Sequence, residues 1–465
     1  MADVPRIPVQ TADPAVLAAV LEVCALVRDA GGRAWLVGGG VRDGALGRAA
    51  GDADLEVFGL EPDALQALLG QAFALELVGR SFGILKLKGL PIDVGVPRQE
   101  NKTGTGHRGF AVHADPFLEL HLAAARRDFT LNAVYLDPLT GEVADPYDGL
   151  GDLQRGILRH TSAAFGEDPL RVLRGMQLAA RFDLAAAPET VRICRTVGME
   201  GLARERVFEE WRRLLVLGAV PSRGLHFLAE TGWLRFFPEL DAVRGVPQDP
   251  RHHPEGDVWV HTLHCLDAFA QERLGDPWED LVVGLAVLCH DLGKAERTTV
   301  EADGRIRSLG HEARSVDLAR TFLGRMTDQR RLVDQVLPLV AEHGKPQQLY
   351  QARSSDAAVR RLADRVGRLD RLVRVARADH GGRPPLPPDF PAGDWLLARA
   401  EALGVTRSGP APLVQGRHLV ALGAEPGEHF RAVLEACYEA QLDGKIGTIE
   451  QGVALASRLL GIKDR

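Results

Sequence analysis

The sequence predicts an α+β fold, with a small α/β head followed by a mainly helical body. Between Ala34 and Val96, short apolar strands alternate with helical stretches, which is typical of a mixed sheet covered by helices. From Asp168 onward, apolar residues recur at helical spacing, and clusters of Gly and Pro interrupt the helices. We therefore expect the sheet to lie in the head and the rest of the chain to be helical.

The elements of the head follow a regular order along the chain. The predicted strands are AWLVGG, DADLEVFGL, FGILKLK and PIDVGV, and the predicted helices are VRDGALG and LQALLGQAF. Two Gly- and Pro-rich stretches, 244–257 and 379–394, are candidate domain boundaries. We expect four parts: a head over 1–145, a helical neck over 146–250, a helical metal-binding domain over 251–385 and a helical tail over 386–465.

Length and composition limit the class of protein. At 465 residues the chain is too long for one ordinary core, and its 45% hydrophobic and 26% charged residues are typical of a soluble globular protein. No apolar run approaches the roughly 20 residues that a membrane helix needs. The start, MADVPRIPVQTADP, lacks the basic and apolar regions of a signal peptide. We expect a cytoplasmic protein without a membrane partner.

Cysteine content and net charge say less about the class of protein. The five cysteines are scattered and have no CxxC spacing, which argues against a disulfide framework and a thiolate zinc site. A net charge of −7 counts against a generally basic nucleic-acid binder. Phosphate contacts, however, act locally, within a Debye length of roughly 10 Å. Composition therefore leaves RNA binding open.

A glycine turn follows the first predicted strand of the head. Gly38, Gly39 and Gly40 end that strand and precede a helix that contains Arg42. Backbone N–H groups at such a turn, together with the dipole of the helix, favour an anion. The turn is a candidate phosphate site, and Arg42 is a candidate side-chain contact to the same phosphate.

Three aspartates in the next strands are candidate metal ligands. Asp52 and Asp54 are two residues apart, so strand alternation places them on one face. Neighbouring carboxylates are costly unless a cation lies between them, and oxygen-only ligands suit Mg²⁺. Metal ions held in this way lower the pKa of an attacking 3′-hydroxyl and stabilise a pyrophosphate leaving group. Asp93, in PIDVGV, is the candidate third carboxylate.

The stretch LVGGGVRDGALGRAAGDADLEV resembles the signature of the class II tRNA nucleotidyltransferase and bacterial poly(A) polymerase family, within the polymerase-β-like superfamily. The resemblance continues through ARRDFTLNAVYLDPLTGEVADPYDG and FGEDPLRVLRGMQLAARF. It implies a polymerase-β-like nucleotidyltransferase head that uses Mg²⁺, CTP and ATP to extend tRNA. By this resemblance Asp52 and Asp54 bind the metal. The nucleotide-binding residues that it implies are Gly39, Arg42 and Arg127, with Asp128 and Asn132 on the sugar and phosphate side.

The first long helix of the neck begins at EDPLR and carries three polar residues of interest. Its apolar residues form one stripe, Leu170, Leu173, Met176 and Ala180. Arg171 and Arg174 lie on another face, and Asp168 with Pro169 suits the helix start. A carboxylate beside a guanidinium complements the donor and acceptor edge of cytosine and adenine, but not that of uracil and guanine. The family resemblance assigns base recognition to Asp168, Arg171 and Arg174.

Histidines and aspartates along the second half form a second candidate site. One histidine lies on an amphipathic helix, and a His-Asp pair ends an apolar run, where it is costly unless liganded or paired. The ordered set resembles the HD phosphohydrolase superfamily. The implied metal ligands are His261, His290, Asp291 and Asp379. His311 and His343 complete the site or bind phosphate by the same resemblance. Imidazole with carboxylate ligation suits Ni²⁺, Mn²⁺ or Fe²⁺ more than Ca²⁺.

Some bacterial CCA-adding enzymes carry an HD domain at this position, where it hydrolyses phosphoester ends of RNA or nucleotides. The resemblance thus implies transfer of CMP and AMP to a tRNA 3′ end, with HD phosphohydrolase activity on the same polypeptide. CC-only, A-only or poly(A) addition stays open, because the segment 101–124 is Gly- and His-rich, unlike the more acidic loop of full CCA enzymes. Alternatives from other classes are an HD phosphohydrolase with a degenerate RNA-binding head, and a non-catalytic tRNA-binding factor.

Overall fold

The computed structural model describes residues 7, 9, 11–78, 84–102 and 110–462, with the backbone alone for 78, 99–102 and 110–112. The chain forms two compact units, one of residues 1–214 and 223–236 and the other of residues 215–222 and 237–465. The predicted α+β fold is confirmed, with the sheet in the first unit. The finer division at residues 145, 250 and 385 remains a prediction.

Strands are concentrated in the first unit. In chain order they are β1 Arg33–Val37, β2 Ala53–Phe58, β3 Leu75–Val78, β4 Ile84–Leu87, β5 Ile92–Gly95, β6 Arg98–Lys102, β7 Phe110–Ala114, β8 Tyr135–Leu136, β9 Val143–Ala144, β10 Ile157–Leu158, β11 Ala185–Ala186, β12 Thr299–Val300 and β13 Ile306–Arg307. Seven of them form the head sheet, in the order β3-β4-β5-β2-β1-β8-β9. The remaining six pair as β6 with β7, β10 with β11, and β12 with β13.

Helices make up most of the rest of the chain. In chain order they are α1 Pro14–Asp29, α2 Gly39–Ala45, α3 Pro62–Leu69, α4 Leu120–Ala125, α5 Gly149–Gln154, α6 Leu170–Phe182, α7 Pro188–Thr196, α8 Arg204–Leu217, α9 Pro221–Glu230, α10 Pro238–Asp241, α11 Val258–Gln271, α12 Pro277–Cys289, α13 Lys294–Arg297, α14 His311–Met326, α15 Arg330–Glu342, α16 Lys345–Gln351, α17 Asp356–Val366, α18 Leu369–Gly381, α19 Pro391–Ala402, α20 Gly416–Ala421, α21 His429–Leu442 and α22 Ile449–Leu459. Short 3₁₀ turns span Thr130–Asn132, Ala163–Glu167 and Trp233–Phe236.

Strand β2 lies near the middle of the head sheet and has two different faces. Its alternate residues Ala53, Leu55 and Val57 are buried in one core with α1, while Asp54 and Glu56 are on the other face. Burial of an aliphatic side chain of this size contributes about 1.5–3 kcal/mol. The apolar face therefore sets the orientation of β2, and the acidic face follows from it.

The sequence pattern did not predict the whole head sheet. Strands β8 and β9 also belong to this sheet and lie after residue 117. Each has only two residues, which is too few to show an alternation of apolar residues, so neither strand was predicted. Of the predicted strand FGILKLK, Phe82 and Gly83 lie outside the described residues, as does 103–109 of the Gly- and His-rich segment.

The second unit is built around a helix that is buried on all sides. Residues 280–289 of α12 are all buried, and α12 packs against α11, α15 and α18. A helix that is apolar on every face belongs in the centre of a helical domain. The chain leaves α12 directly into His290 and Asp291, so the core positions this pair.

All five cysteines lie within the described residues, where they are buried and free. Among the helices that the structure describes, none is both long and apolar enough to cross a membrane.

Candidate functional site

The three predicted carboxylates come together on the acidic face of the head sheet. Asp54 on β2 and Asp93 on the parallel strand β5 are in register, and Asp52 directly precedes β2. Desolvation by the surrounding protein, followed by repulsion from the Asp52 carboxylate, raises the pKa of Asp54. A cation bound among these oxygens would relieve that repulsion, and an all-oxygen set fits Mg²⁺.

Lys86 on β4 neutralises part of this charge. Its Nζ donates hydrogen bonds to Asp93 Oδ1 at 2.7 Å and to Oδ2 at 2.6 Å. The hydrogen bond that Lys86 donates to the Asp93 carboxylate is the main reason that the pKa of Lys86 is raised. Both side chains are partly exposed, so an entering cation can compete with Lys86 for Asp93.

A cavity of about 280 Å³ opens on the acidic face, lined by residues that include Asp54, Glu56, Asp93, Arg126 and Arg127. Glu56 Oε2 accepts a hydrogen bond from Arg127 Nη2 at 3.3 Å and another from the hydroxyl of Tyr135 at 2.9 Å. Desolvation opposes the charge of Arg127, but Glu56 outweighs it and raises the pKa of the guanidinium. Arg127 thus supplies a fixed positive charge beside the carboxylates.

Glu56 had no assigned role in the sequence analysis. It lies two residues after Asp54 and therefore on the same strand face, so the alternation that identified Asp52 and Asp54 also contains the signal for Glu56.

The glycine turn passes close to both charges. Gly38 has φ 72° and ψ −129°, a conformation that favours glycine. A Cβ added there would lie 3.3 Å from Arg127 Nη1 and 3.7 Å from Asp54 Oδ2. The predicted phosphate turn, Gly38 and Gly39, therefore adjoins the carboxylates, and the lack of a side chain leaves this approach open.

Arg42 points to partners that its sequence position did not predict. Its Nη1 donates to Asn132 Oδ1 at 2.7 Å, and its Nε donates to Asp43 Oδ1 at 2.9 Å. The guanidinium carbon lies 4.4 Å from the centre of the Phe182 ring. Arg42 thus links α2, to which it belongs, with the end of α6. Its contact with a phosphate remains a prediction.

Asp128 and Asn132 form one buried pair. Asn132 Nδ2 donates to Asp128 Oδ1 at 3.0 Å, and Arg174 Nε donates to Asp128 Oδ2 at 2.6 Å. Burial opposes ionisation of Asp128, but Arg174 and Asn132 outweigh it and lower its pKa to about 2. Asp128 is therefore ionised at neutral pH and acts only as a hydrogen-bond acceptor.

The three predicted base-reading residues all lie at the start of α6. Asp168 Oδ1 accepts the backbone N–H of Leu170 at 3.0 Å, and the helix begins at Leu170, one residue later than expected. Arg171 Nη1 donates to Ala164 O at 3.0 Å and its Nη2 to Arg126 O at 2.5 Å. Arg174 is bonded to Asp128 through Nε and stays 35% exposed. Both guanidinium groups are held in defined positions.

A second cluster of polar side chains lies in the second unit. His261 Nε2 on α11 is 3.1 Å from Asp379 Oδ1 on α18 and 3.7 Å from Asp291 Oδ2. His290 Nε2 is 3.2 Å from the same Asp291 oxygen. Atoms bonded to one cation at about 2.1 Å lie roughly 3 Å apart, so these separations suit shared ligation. The structure brings all four predicted ligands together.

Backbone carbonyls orient the histidines of this cluster. His290 Nδ1 lies 2.7 Å from the carbonyl oxygen of Val287. His311 Nδ1 and His343 Nδ1 each lie 2.8 Å from a carbonyl oxygen, that of Ser308 and that of Val340 respectively. A carbonyl can only accept, so Nδ1 carries the proton and Nε2 has the lone pair that a metal needs. The buried Nε2 atoms of His290 and His311 each lie 3.2 Å from an Asp291 oxygen without hydrogen-bond geometry, which fits ligands that share one metal.

Asp291 is the carboxylate at the centre of the cluster. Lys294 Nζ lies 2.7 Å from its Oδ2, while His311 Nε2 and His343 Nε2 lie 3.2 Å and 4.0 Å from its Oδ1. Burial opposes ionisation, but His290 and Lys294 hold the pKa of the Asp291 carboxyl well below its usual range. The buried pair at the end of α12 is thus balanced by charges around it.

Three further residues near the cluster were missed. Glu255 Oε1 lies 2.8 Å from His261 Nδ1 and 2.9 Å from His253 Nδ1, and the Glu255 side chain is fully buried. Cys265 Sγ lies 3.3 Å from His261 Nε2. The sequence showed Glu255 and His253 only as part of a Gly- and Pro-rich stretch, and Cys265 only as one turn beyond His261 on the same helix.

A cavity of about 410 Å³ borders this cluster. Its lining includes His253, Lys294, Arg307 and His311. Lys294 and Arg307 supply positive charge and hydrogen-bond donors, and Asp249 and Glu312 lie in the same lining, so a ligand there meets both cationic and acidic groups.

Known structures share the fold of the whole chain. The Bacillus stearothermophilus CCA-adding enzyme in complex with CTP has a TM-score of 0.67 and 23% identity, over 97% of this chain and 98% of that chain. The Thermotoga maritima CCA-adding enzyme complexed with tRNA-CCA has a TM-score of 0.59 and 19% identity, over 97% of each chain.

Sequence comparison establishes the family. Residues 34–159 match the family model of the Poly A polymerase head domain. The Multifunctional CCA protein of Xanthomonas campestris pv. campestris (strain B100) is 38% identical over 363 residues, which are 75% of this chain and 85% of the relative. That of Azoarcus sp. (strain BH72) is 37% identical over 385 residues, 80% of this chain and 90% of the relative. The family predicted from the head motifs is confirmed, and the chain belongs to the family of the multifunctional CCA proteins.

Proposed function

We propose that this chain is a template-independent tRNA nucleotidyltransferase, which adds CMP and AMP from CTP and ATP to the tRNA 3′ end and releases pyrophosphate. The proposal is carried by one observation: Asp54 and Asp93 are register partners on neighbouring strands, and Arg127 and the Gly38 turn lie next to Asp54. The name of the relatives and the CTP and tRNA complexes of the structural neighbours support these substrates.

Each group of this site has a distinct part in nucleotidyl transfer. Mg²⁺ held by Asp52, Asp54 and Asp93 would lower the pKa of the attacking 3′-hydroxyl and stabilise the leaving pyrophosphate. Arg127, fixed by Glu56 and Tyr135, binds the triphosphate from the other side of the cavity. The bare backbone at Gly38 admits the phosphates next to both.

Base selection falls to Asp168, Arg171 and Arg174. Because backbone carbonyls hold Arg171 and Asp128 holds Arg174, their donors have fixed directions before a base enters. A fixed set of polar groups discriminates strongly, since a mismatched base leaves buried groups unpaired. This geometry suits cytosine and adenine and rejects uracil and guanine.

The test is incorporation of single labelled nucleotides into tRNA that lacks its 3′ end. We expect CTP alone to add two residues to tRNA lacking CCA, and ATP alone to add one residue to tRNA that ends in CC. Addition of C only, of A only, or of a long A tail would identify the corresponding partial or poly(A) activity. Binding of tRNA without growth in any of these reactions would contradict the proposal and favour a non-catalytic factor.

We also propose that the second cluster is an HD-type metal site that hydrolyses phosphoester ends. The approach of His290 Nε2 to the ionised Asp291, and the Lys294 and Arg307 side chains of the neighbouring cavity, support it. His261, His290, Asp291 and Asp379 would hold Ni²⁺, Mn²⁺ or Fe²⁺, and the metal would supply an activated water for hydrolysis of the phosphoester.

The test is phosphate release from 3′-phosphorylated RNA with each metal added separately. We expect hydrolysis by the wild-type chain and none by His290→Ala. A chain that is loaded with metal but releases no phosphate would contradict the hydrolase proposal. Release with unchanged RNA length and no extension under any condition would favour a hydrolase with a degenerate head.

A further inference from the structure

Asn132 connects the predicted phosphate side of the head with the predicted base-reading side. Its Oδ1 accepts a hydrogen bond from Arg42 Nη1 at 2.7 Å, and its Nδ2 donates to Asp128 Oδ1 at 3.0 Å. Asp128 Oδ2 in turn accepts from Arg174 Nε at 2.6 Å. Arg42, Asn132 and Asp128 are all buried, at 5%, 5% and 7% exposure, so water does not compete for these bonds.

The two ends of this hydrogen-bonded chain lie on different helices. Arg42 belongs to α2, and a Cβ added to Gly39 of the phosphate turn would lie 3.5 Å from its Nη2. Arg174 lies in the first half of α6, and Phe182 at the end of that helix stacks on Arg42. Arg42 is therefore tied to α6 twice, once through the Phe182 ring and once through Asn132 and Asp128.

The chemistry of the two neighbours requires an amide between them. Arg42 can only donate hydrogen bonds, and the ionised Asp128 can only accept them. The linking side chain must accept from one and donate to the other at the same time, which the Asn amide does. A carboxylate at this position would still accept from Arg42 but would repel Asp128.

We propose that Asn132 is a positioning residue for nucleotide selection, which couples the placement of α2 beside the triphosphate to the orientation of Arg174 toward the base. This inference rests on the proposed nucleotidyltransferase function. Asp54 on β2 and Asp93 on β5 take no part in these hydrogen bonds, so loss of Asn132 alters the choice among nucleotides and leaves the requirement for metal unchanged.

Three variants test the proposal. Asn132→Ala removes both bonds, whereas Asn132→Asp keeps the acceptor for Arg42 and removes the donor for Asp128. Thr130→Val is the matched control, because Thr130 lies in the same 3₁₀ turn and donates a buried hydrogen bond to Asp152 Oδ2 at 2.9 Å, outside this chain of bonds.

The measurement is kcat/KM for CTP against UTP on tRNA lacking CCA, and for ATP against GTP on tRNA ending in CC. We expect both Asn132 variants to lower the CTP/UTP and ATP/GTP ratios roughly tenfold or more, at an unchanged Mg²⁺ requirement. Thr130→Val should keep both ratios within about twofold of wild type, which separates selectivity from a general loss of stability.

Each other outcome bears on the proposal. If folded Asn132→Ala keeps the wild-type ratios, the proposal is wrong. If Asn132→Asp keeps them while Asn132→Ala loses them, the bond to Arg42 suffices and the link to Arg174 is wrong. If Asn132→Ala does not fold, the ratios of Asn132→Asp decide. If the wild-type chain extends no RNA, the proposed function fails, and affinities for CTP and UTP measured by calorimetry test the role of Asn132 independently.

Discussion

Asp54 and Asp93 are register partners on the neighbouring parallel strands β2 and β5. Side chains at the same level of adjacent strands point to the same face, so the two carboxylates converge without any contribution from a flexible loop. The apolar side of β2 is buried in the head core, which holds this face in place. The metal-binding geometry that we propose is thus a property of the sheet itself.

The two sites are expected to act independently. Asp52→Ala should lower nucleotide incorporation at least about 10³-fold, because a metal ligand is lost, while phosphate release stays at the wild-type rate. His290→Ala should do the reverse. Asp63→Ala, an exposed acidic residue in the first turn of α3, is the control for loss of charge. Loss of both activities from either single change, with a native circular dichroism spectrum, would contradict independence.

Lys86 competes with metal for Asp93. Lys86→Met should lower the Mg²⁺ concentration that gives half-maximal incorporation by about threefold to tenfold, since the pair is partly exposed and worth about 1 kcal/mol. A Mg²⁺ titration of the incorporation rate measures this shift. Lys88 is an exposed lysine two residues further along the chain, and Lys88→Met should leave the half-maximal Mg²⁺ concentration unchanged. A higher Mg²⁺ requirement in Lys86→Met would show that Lys86 supports the site.

The Asp128–Arg174 pair should stabilise the first unit in a pH-dependent way. The folded pKa of Asp128, about 2, is below the ordinary value of 3.8, so its contribution is complete above about pH 4 and is lost as the pH falls toward 2. A shift of this size corresponds to about 2 kcal/mol for a buried group. In urea unfolding between pH 5 and 8, the free energy of unfolding of Asp128→Asn should be about 2 kcal/mol lower than that of the wild type. Below pH 4 the difference between the two should be smaller. A difference that grows on acidification would contradict the assignment.

Glu255 should control the affinity of the second site for metal. Its carboxylate lies 2.8 Å from His261 Nδ1, where it fixes the ring with Nε2 toward the other ligands. Glu255→Ala should weaken metal binding by about 10- to 100-fold, and Glu255→Gln should recover part of the loss. Metal titration by calorimetry measures both. His264→Ala, on an exposed position of the same helix, should bind metal as wild type.

Local patterns predicted the parts of the sites that lie close together in sequence. The alternation along β2 predicted that Asp52 and Asp54 share a face, and the apolar run of α12 predicted a buried His290-Asp291 pair. The second prediction succeeds because one helix determines the direction of each side chain, whereas Asp52 lies in the bend before β2, close enough to Asp54 to raise its pKa. The same local order accounts for the predicted strands β1, β2 and β5.

Contacts between distant segments could not be predicted in this way. The neighbours of Arg42 in sequence suggested phosphate, yet its partners Asn132 and Phe182 lie on later elements. Glu255 reads as part of a turn-rich linker, and its role arises only because this stretch folds back against α11. Tertiary packing determines these contacts, and spacing along the chain does not encode them.

The most direct test of the central claim is a crystal structure of the chain with CTP and Mn²⁺, with anomalous scattering used to locate the metal. We predict an anomalous peak among the carboxylates of Asp52, Asp54 and Asp93, with the triphosphate between that peak and Arg127. Ordered CTP elsewhere on the chain, with no peak at these carboxylates, would contradict the account.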